Sequence, residues 1–164
     1  MAAAVETAGL YSRLPLDSAI DPMEEKPPRS AYDQTCGLVY FARMLDKIRL
    51  KHAQMLPTDY FESLGRGFDG RCCRFLGVEY SALRDRTLAG GTDEEILEWC
   101  LQQGRHPNEE QISVFSSFLL KRGWRDDDTT TKALEDFKAG SGLAKRSDIV
   151  TFFDFYEVDE GRRS

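Results

Sequence analysis

Charged residues recur along one side of the segment GLVYFARMLDKIRLKHA, residues 37–53. Arg43, Asp46 and Lys47 follow one another at spacings of three and four residues, which places them on one face of a helix. Apolar residues fall on that same side, namely Val39, Tyr40 and Leu50. A helix that is apolar nearly all round is usually central in a bundle, and enclosed charges need partners or a ligand.

Two interpretations of these charges follow. In the first, Arg43, Asp46 and Lys47 bind a small anionic ligand, and Arg71 in the glycine-rich connection that follows adds a further cation. In the second, the charges form a structural ion-pair network in which Arg43 pairs with Asp46. An enzyme is a related alternative: Asp46 or His52 would transfer protons while the arginines hold an anionic substrate. His52 lies on the apolar face near the helix end, where a histidine also commonly binds a carbonyl group.

The pair Cys72 and Cys73, between two arginines in GRCCRF, suggests a third function, a thiol-based redox or metal sensor. Arg71 lies beside Cys72 and would favour its thiolate. On a helix the two side chains point about 100° apart, so they cannot both bind one metal ion. Free cysteine is among the most buried residue types, so core packing is the simpler expectation. No metal site is predicted, and the sequence has no phosphate-binding or dinucleotide-binding motif that would indicate a cofactor.

The charge of the chain bears on which kinds of molecule it can bind. The chain has 22 basic and 28 acidic residues, a net charge of -6, and none of the segments 1–34, 35–104 and 105–164 carries a net positive charge. Binding to nucleic acid or to an anionic membrane surface is therefore not expected. The N-terminal residues lack the basic start of a signal peptide, and four cysteines without a disulfide-type spacing favour the cytoplasm. The expected partner is a small anion or another protein, and the chain is a monomer or a homodimer.

The hydrophobic pattern predicts an all-α fold, an irregular bundle of about six to eight helices. Residues 1–33 form an N-terminal arm with paired prolines, and residues 34–164 form a single helical domain. The sharpest start signal is Thr92 followed by Glu95, a capping box. Ser147 is expected to cap the last helix. The other predicted helices cover residues 37–53, 58–64, 71–76, 107–122 and 130–139, with one more beginning near Tyr80.

Five segments carry a family resemblance: LVYFARMLDKIRLKHAQMLP, GGTDEEILEWC, PNEEQI, KRGW and TFFDFYEVDEGR. Over roughly residues 27–163 the chain resembles an uncharacterised bacterial family, a domain of unknown function. This resemblance implies a small, helical, cytoplasmic protein. It implies no activity, substrate or catalytic residue, so the function rests on the residues themselves.

Overall fold

The computed structural model describes residues 24–164, and helices dominate that part of the chain. A short 3-10 helix, Thr58–Ser63, connects the first two α-helices. The prediction of a mainly helical bundle is confirmed. The α-helices in chain order are α1 (Phe41–His52), α2 (Gly67–Leu76), α3 (Tyr80–Leu88), α4 (Asp93–Gln103), α5 (Glu109–Lys121), α6 (Asp128–Gly140) and α7 (Phe152–Asp159).

A small β-hairpin precedes α1, and the sequence analysis missed it. Strands β1 (Gln34–Thr35) and β2 (Leu38–Val39) pair antiparallel. The turn residues Cys36 and Gly37 have φ of 48° and 81°, as the tight type I′ hairpin turn requires. The helix predicted from residue 37 therefore begins only at Phe41, because Tyr40 adopts the left-handed conformation at φ 70°.

Helix α1 lies at the centre of the bundle. Eight of its twelve residues are buried, among them Phe41, Met44 and Leu45. These pack in the main hydrophobic cluster with side chains from α2 to α5 and α7, namely Leu76, Leu83, Ile96, Leu119 and Phe153. Each fully buried side chain of this size contributes about 1.5–3 kcal/mol. The central position expected for this helix is thus observed, and it encloses Arg43 and Lys47 as well.

Helices α4 to α7 begin with a side-chain cap, whereas α1, α2 and α3 do not. The predicted capping box on α4 is confirmed, since Thr92 accepts a hydrogen bond from the Glu95 amide at 3.2 Å and Glu95 accepts one from the Thr92 amide at 2.8 Å. The expected cap at Ser147 is wrong. Thr151 caps α7 in a box with Asp154, while Arg146 binds Asp148 across a turn that keeps this stretch irregular.

The end of the predicted arm packs on the domain. Ala31 is fully buried, and its carbonyl accepts a hydrogen bond of 3.1 Å from the Tyr40 amide. The Lys26 amide donates to the Met55 carbonyl at 3.0 Å. Residues 1–23 of the arm lie outside the described residues. Among residues 24–164, no helix has the length and apolar character needed to cross a bilayer.

Candidate functional site

A cleft of about 550 Å³ lies among α1, α2, α6, α7 and the 3-10 helix. Two hydrophobic clusters meet at this cleft, and both Phe68 and Tyr156 pack against each of them. The volume falls in the range typical of pockets for small organic ligands. Aromatic side chains form much of its wall: Tyr40, Tyr60, Phe68, Phe137, Phe152, Phe155 and Tyr156.

The aromatic side chains support one another by edge-to-face contacts. The Phe68 ring centroid lies 6.0 Å from that of Phe152 and 6.2 Å from that of Tyr156. Phe137 reaches the same group through Phe152, at 6.0 Å, yet it stays 55% exposed. Offset and edge-to-face aromatic pairs stabilise their arrangement beyond simple burial. The cleft therefore presents preformed apolar surface with one large ring at its edge.

Arg43 and Glu160 form a buried ion pair on the cleft wall. The Arg43 nitrogens donate to the two carboxylate oxygens of Glu160 at 2.9 and 2.5 Å, and the side chains are 2% and 4% exposed. Arg43 also donates to the Arg29 carbonyl at 2.8 Å, and the Tyr60 hydroxyl donates to Glu160 at 2.6 Å. Arg162 binds the same carboxylate. This network leaves Glu160 with little capacity for a ligand.

Burial alone would raise the pKa of the Glu160 carboxyl, but the charge of Arg43 and the hydrogen bonds from Arg43, Tyr60 and Arg162 together hold that pKa below its ordinary value. Burial would lower the pKa of Arg43, and Glu160 raises it above its ordinary value. Both groups are therefore charged at neutral pH. Arg43 and Glu160 neutralise each other, and their pairing holds α1 against the end of α7 on the cleft wall.

A second buried group joins α1 to α2. The Lys47 ammonium lies 2.6 Å from the Asp69 carboxylate and 3.1 Å from the Tyr40 hydroxyl. The Tyr40 hydroxyl donates to the same carboxylate at 2.9 Å, and the Gly65 amide donates to its other oxygen at 3.0 Å. Asp69 is fully buried behind Lys47 and Tyr40, and both of these line the cleft.

Arg71 lines the cleft and forms no ion pair with an acidic side chain of residues 24–164. Its guanidinium carbon lies 5.5 Å from the Phe118 ring centroid, and that of Arg122 lies 5.1 Å from the same centroid. Burial lowers the pKa of Arg71, and the charges of Arg122 and Arg74 lower it further. Arg66, which also lines the cleft, is exposed and unpaired among the described residues.

Arg122, unlike Arg71, has an acidic partner. One of its nitrogens donates to Asp126 at 2.7 Å and the other to the Thr130 hydroxyl at 2.7 Å. Both Arg122 and Thr130 line the cleft. Because Asp126 pairs with Arg122, Arg71 and Arg66 are the cleft-lining cations without an ion pair among residues 24–164, and the carboxylates Asp59 and Asp159 line the same cleft.

Of the residues predicted for the site, Arg43, Lys47 and Arg71 line the cleft, whereas Asp46 and His52 do not. Asp46 is partly buried and accepts a hydrogen bond of 2.9 Å from the Arg29 amide. Arg43 pairs with Glu160, so the expected Arg43–Asp46 pair does not form. His52 is exposed, because five residues after Lys47 the helix has turned about 140° away from the cleft. The acid–base roles suggested for Asp46 and His52 therefore have no support in this geometry.

The sequence analysis missed the groups that complete the site: Tyr60, Asp69, Tyr156 and Glu160. Glu160 lies 117 residues from Arg43 and follows a helix of mixed composition, so no local pattern marks it. Asp69 had a weak signal, since it is an acidic residue within the apolar segment GFDGRCCRFL of α2.

The buried cysteines are poor candidates for a thiol sensor. Cys72 and Cys100 are fully buried and Cys73 is 5% exposed. Burial raises the pKa of the Cys72 thiol, and it raises those of Cys73 and Cys100 to about 12. These three thiols are therefore protonated at neutral pH. Their burial agrees with the expectation that the cysteines pack in the core. Across residues 24–164, no cluster of three or more His, Cys, Asp or Glu side chains is arranged to hold a metal ion.

Comparison with known proteins identifies the chain at the level of a family. Residues 25–162 match the family described as a domain of unknown function, DUF5069. The match extends from the packed end of the arm to the residues that follow Glu160, so it includes every wall of the cleft. Among curated proteins, none matches the chain.

Proposed function

The chain belongs to the DUF5069 family, and from its cleft we propose that it binds a small organic anion with an apolar or aromatic body. One observation carries the proposal. Arg71 lines an aromatic cleft and forms no ion pair among the described residues. Burial lowers its pKa most, the charges of Arg122 and Arg74 lower it further, and those of Asp126 and Asp127 oppose them only in part. A ligand carboxylate or phosphate would relieve that repulsion.

The other charges of the cleft support this choice of ligand group. Arg43, Lys47 and Arg122 each bind a carboxylate of the protein itself. They shape the wall and are not available to an anion without breaking an internal pair. The ligand anion is therefore expected at Arg71, with the exposed Arg66 adding a second, weaker attraction.

The side chains that line the cleft indicate what the uncharged part of the ligand should be. The side chains of Phe68, Phe137, Phe152 and Phe155 offer stacking and edge contacts to a ring, and they do not offer hydrogen bonds. A polyhydroxylated or strongly polar body would lose hydration there without replacement. We infer an aromatic or branched aliphatic acid of a size that fits about 550 Å³.

The proposal is tested by calorimetry with three matched compounds: 3-phenylpropionate, its uncharged amide, and acetate. The first should bind, the amide should bind at least about tenfold more weakly for lack of a charge-assisted hydrogen bond, and acetate should bind least. Thermal unfolding gives a second measurement, since a ligand at about a hundred times its dissociation constant stabilises the fold by about 2.7 kcal/mol.

Arg71→Gln should raise the dissociation constant for 3-phenylpropionate by about tenfold or more. The matched control is Arg84→Gln on α3, which removes an exposed arginine paired with Asp85 and remote from the cleft lining. Equal binding of the acid and the amide would contradict the proposal, as would an unchanged affinity in Arg71→Gln. Failure of all three compounds together with capture of a protein partner would favour the protein-binding alternative.

A cytoplasmic location is also proposed. It is supported by the cysteines, since all four are free in the structure and three are buried without pairing. Free thiols are usual in a reducing compartment. Measuring the redox state of the thiols in intact cells tests this part of the proposal.

A further inference from the structure

Lys47, Tyr40 and Asp69 form a closed triangle of polar groups at the deep wall of the cleft. The three distances are 2.6 Å from Lys47 to Asp69, 2.9 Å from Tyr40 to Asp69 and 3.1 Å from Lys47 to Tyr40. Lys47 and Tyr40 line the cavity, and Asp69 lies behind them with its second oxygen held by the Gly65 amide. An amine, a hydroxyl and a carboxylate thus converge beside space that an organic molecule can enter.

The environment of Lys47 favours a reactive amine. Burial is the largest influence and lowers the pKa of Lys47, and the nearby Arg43 charge acts in the same direction. Asp69 opposes both but does not outweigh them. Each unit by which the pKa of an amine falls gives about tenfold more of the neutral, nucleophilic form at pH 7. A buried ion pair of this kind adds little net stability compared with apolar packing, so stability alone is a weak reason for it.

We propose that Lys47 forms an imine with the carbonyl group of an oxo acid bound in the cleft, with Tyr40 and Asp69 moving the protons. The Lys47 ammonium passes one proton to Asp69, and its lone pair attacks the carbonyl carbon. As the carbon–nitrogen bond forms, the electron pair of the carbon–oxygen double bond moves to oxygen, which takes the proton of the Tyr40 hydroxyl. Asp69 returns a proton to Tyr40.

Imine formation is completed by loss of water. The second nitrogen-bound proton leaves through Asp69 and Tyr40 to the hydroxyl oxygen, and the carbon–oxygen bond breaks as the nitrogen lone pair forms the double bond. The net change joins one ammonium and one carbonyl compound into one protonated imine and one water molecule. No oxidant, reductant or metal is consumed. The separations within the triangle are all short enough for direct proton transfer.

The carboxylate of the oxo acid rests on the proposed function, whereas the imine rests only on the triangle and the cavity beside it. Asp69 and Arg71 lie on α2, about 200° apart around its axis: Asp69 is buried behind Lys47, and Arg71 lines the cleft that Lys47 also lines. Phe68, also on α2, lines the cleft and provides apolar surface beside Tyr40, with 5.2 Å between the two ring centroids. An aromatic 2-oxo acid combines the three features that these groups would recognise.

The test is reductive trapping of the full chain with phenylpyruvate and cyanoborohydride, followed by peptide mass mapping. One added group on the Lys47 peptide is expected, at a rate at least about tenfold above that of Lys138. Lys138 is the matched control within the same sample, because it is also buried and ion-paired, at 2.9 Å to Glu135, but does not line the cleft. Lys47→Arg should abolish this label, and Tyr40→Phe should slow its formation by about tenfold or more.

Peptide mass mapping of the labelled wild-type protein tests the imine at Lys47 even if the Lys47→Arg variant does not fold. Label confined to exposed lysines such as Lys132, with Lys47 unmodified, overturns the inference. An uncharged probe, 3-phenylpropanal, separates the two proposals. Trapping of Lys47 by the aldehyde but not by phenylpyruvate would support the amine and contradict carboxylate recognition. Binding of 3-phenylpropionate with no Lys47 label from either probe would overturn the imine and leave anion binding in place.

Discussion

The guanidinium of Arg43 binds the carboxylate of Glu160 through two hydrogen bonds, of 2.9 and 2.5 Å, although 117 residues separate them. The guanidinium carbon lies 4.7 Å from the ring centroid of Tyr156 and 5.8 Å from that of Tyr60, so two aromatic rings flank the pair. This pair ties the central helix to the end of α7. It also occupies Arg43 with a carboxylate of the protein, so the cleft-lining cations without an ion pair among the described residues are Arg71 and Arg66.

Loss of the Glu160 charge should destabilise the fold strongly. Glu160→Gln leaves the Arg43 charge buried without compensation, and removing one partner of a buried pair costs about 3–5 kcal/mol. Urea unfolding measures the difference. The control is Asp136→Asn, which breaks an exposed pair with Lys132 and should cost less than about 0.5 kcal/mol. Similar losses in the two variants would contradict a special role for the buried pair.

The same carboxylate should make stability depend on pH in the acid range. Folding lowers the pKa of Glu160 below its ordinary value of 4.5, so the folded state favours the ionised form. Its contribution is complete above the unfolded pKa and is lost as the pH falls through the folded pKa. The difference in unfolding free energy between wild type and Glu160→Gln should therefore be largest near about pH 7 and shrink towards about pH 3. A constant difference across this range would show that Glu160 acts only by its shape.

The sequence predicted what depends on local spacing. The helical class, the central position of α1 and the Thr92–Glu95 box all follow from residues within a few positions of one another. The hairpin was missed because strands of two residues are too short to show alternation. The Thr151–Asp154 box had a readable signal, since threonine followed three residues later by an acidic residue resembles a capping box, and Ser147 was chosen instead.

The candidate site was predictable only in part. Helical phase placed Arg43 and Lys47 on one enclosed face, and the structure brings Arg71 to the same cleft. The partners of the first two could not be predicted, because Glu160 and Asp69 meet α1 only through tertiary packing. Asp46 shares the face by spacing, but the packed arm captures it through the Arg29 amide.

Thiol labelling should distinguish Cys36 from the other cysteines. Cys36 is exposed in the hairpin turn, whereas Cys72, Cys73 and Cys100 are buried and their pKa values are raised by burial. A chromogenic disulfide reagent should therefore react with one thiol in the native protein and with all four after unfolding. Cys36→Ser should remove the native reaction. Rapid native labelling of Cys72 or Cys73 would restore the thiol-sensor hypothesis.

Substitution by alanine should change the free energy of unfolding in opposite directions at Gly104 and Gly140. A Cβ on Gly104 would clash with the Leu76 carbonyl and lie 2.7 Å from the Gly77 carbonyl oxygen. The Arg105 amide fixes this approach by donating to Leu76 at 2.7 Å, so the backbone cannot move away cheaply. Gly104→Ala should cost about 1–3 kcal/mol or more, as overpacking does.

Gly140 ends α6 with nothing within 4 Å of an added Cβ. There, alanine restricts the unfolded chain without strain in the folded one, and Gly140→Ala should stabilise by about 0.4–1 kcal/mol. Chemical unfolding of both variants beside the wild type measures the two effects under one set of conditions. A loss in both variants would mean that the end of α6 is more tightly packed than described, whereas no loss at Gly104 would disprove the close contact between the end of α2 and the end of α4.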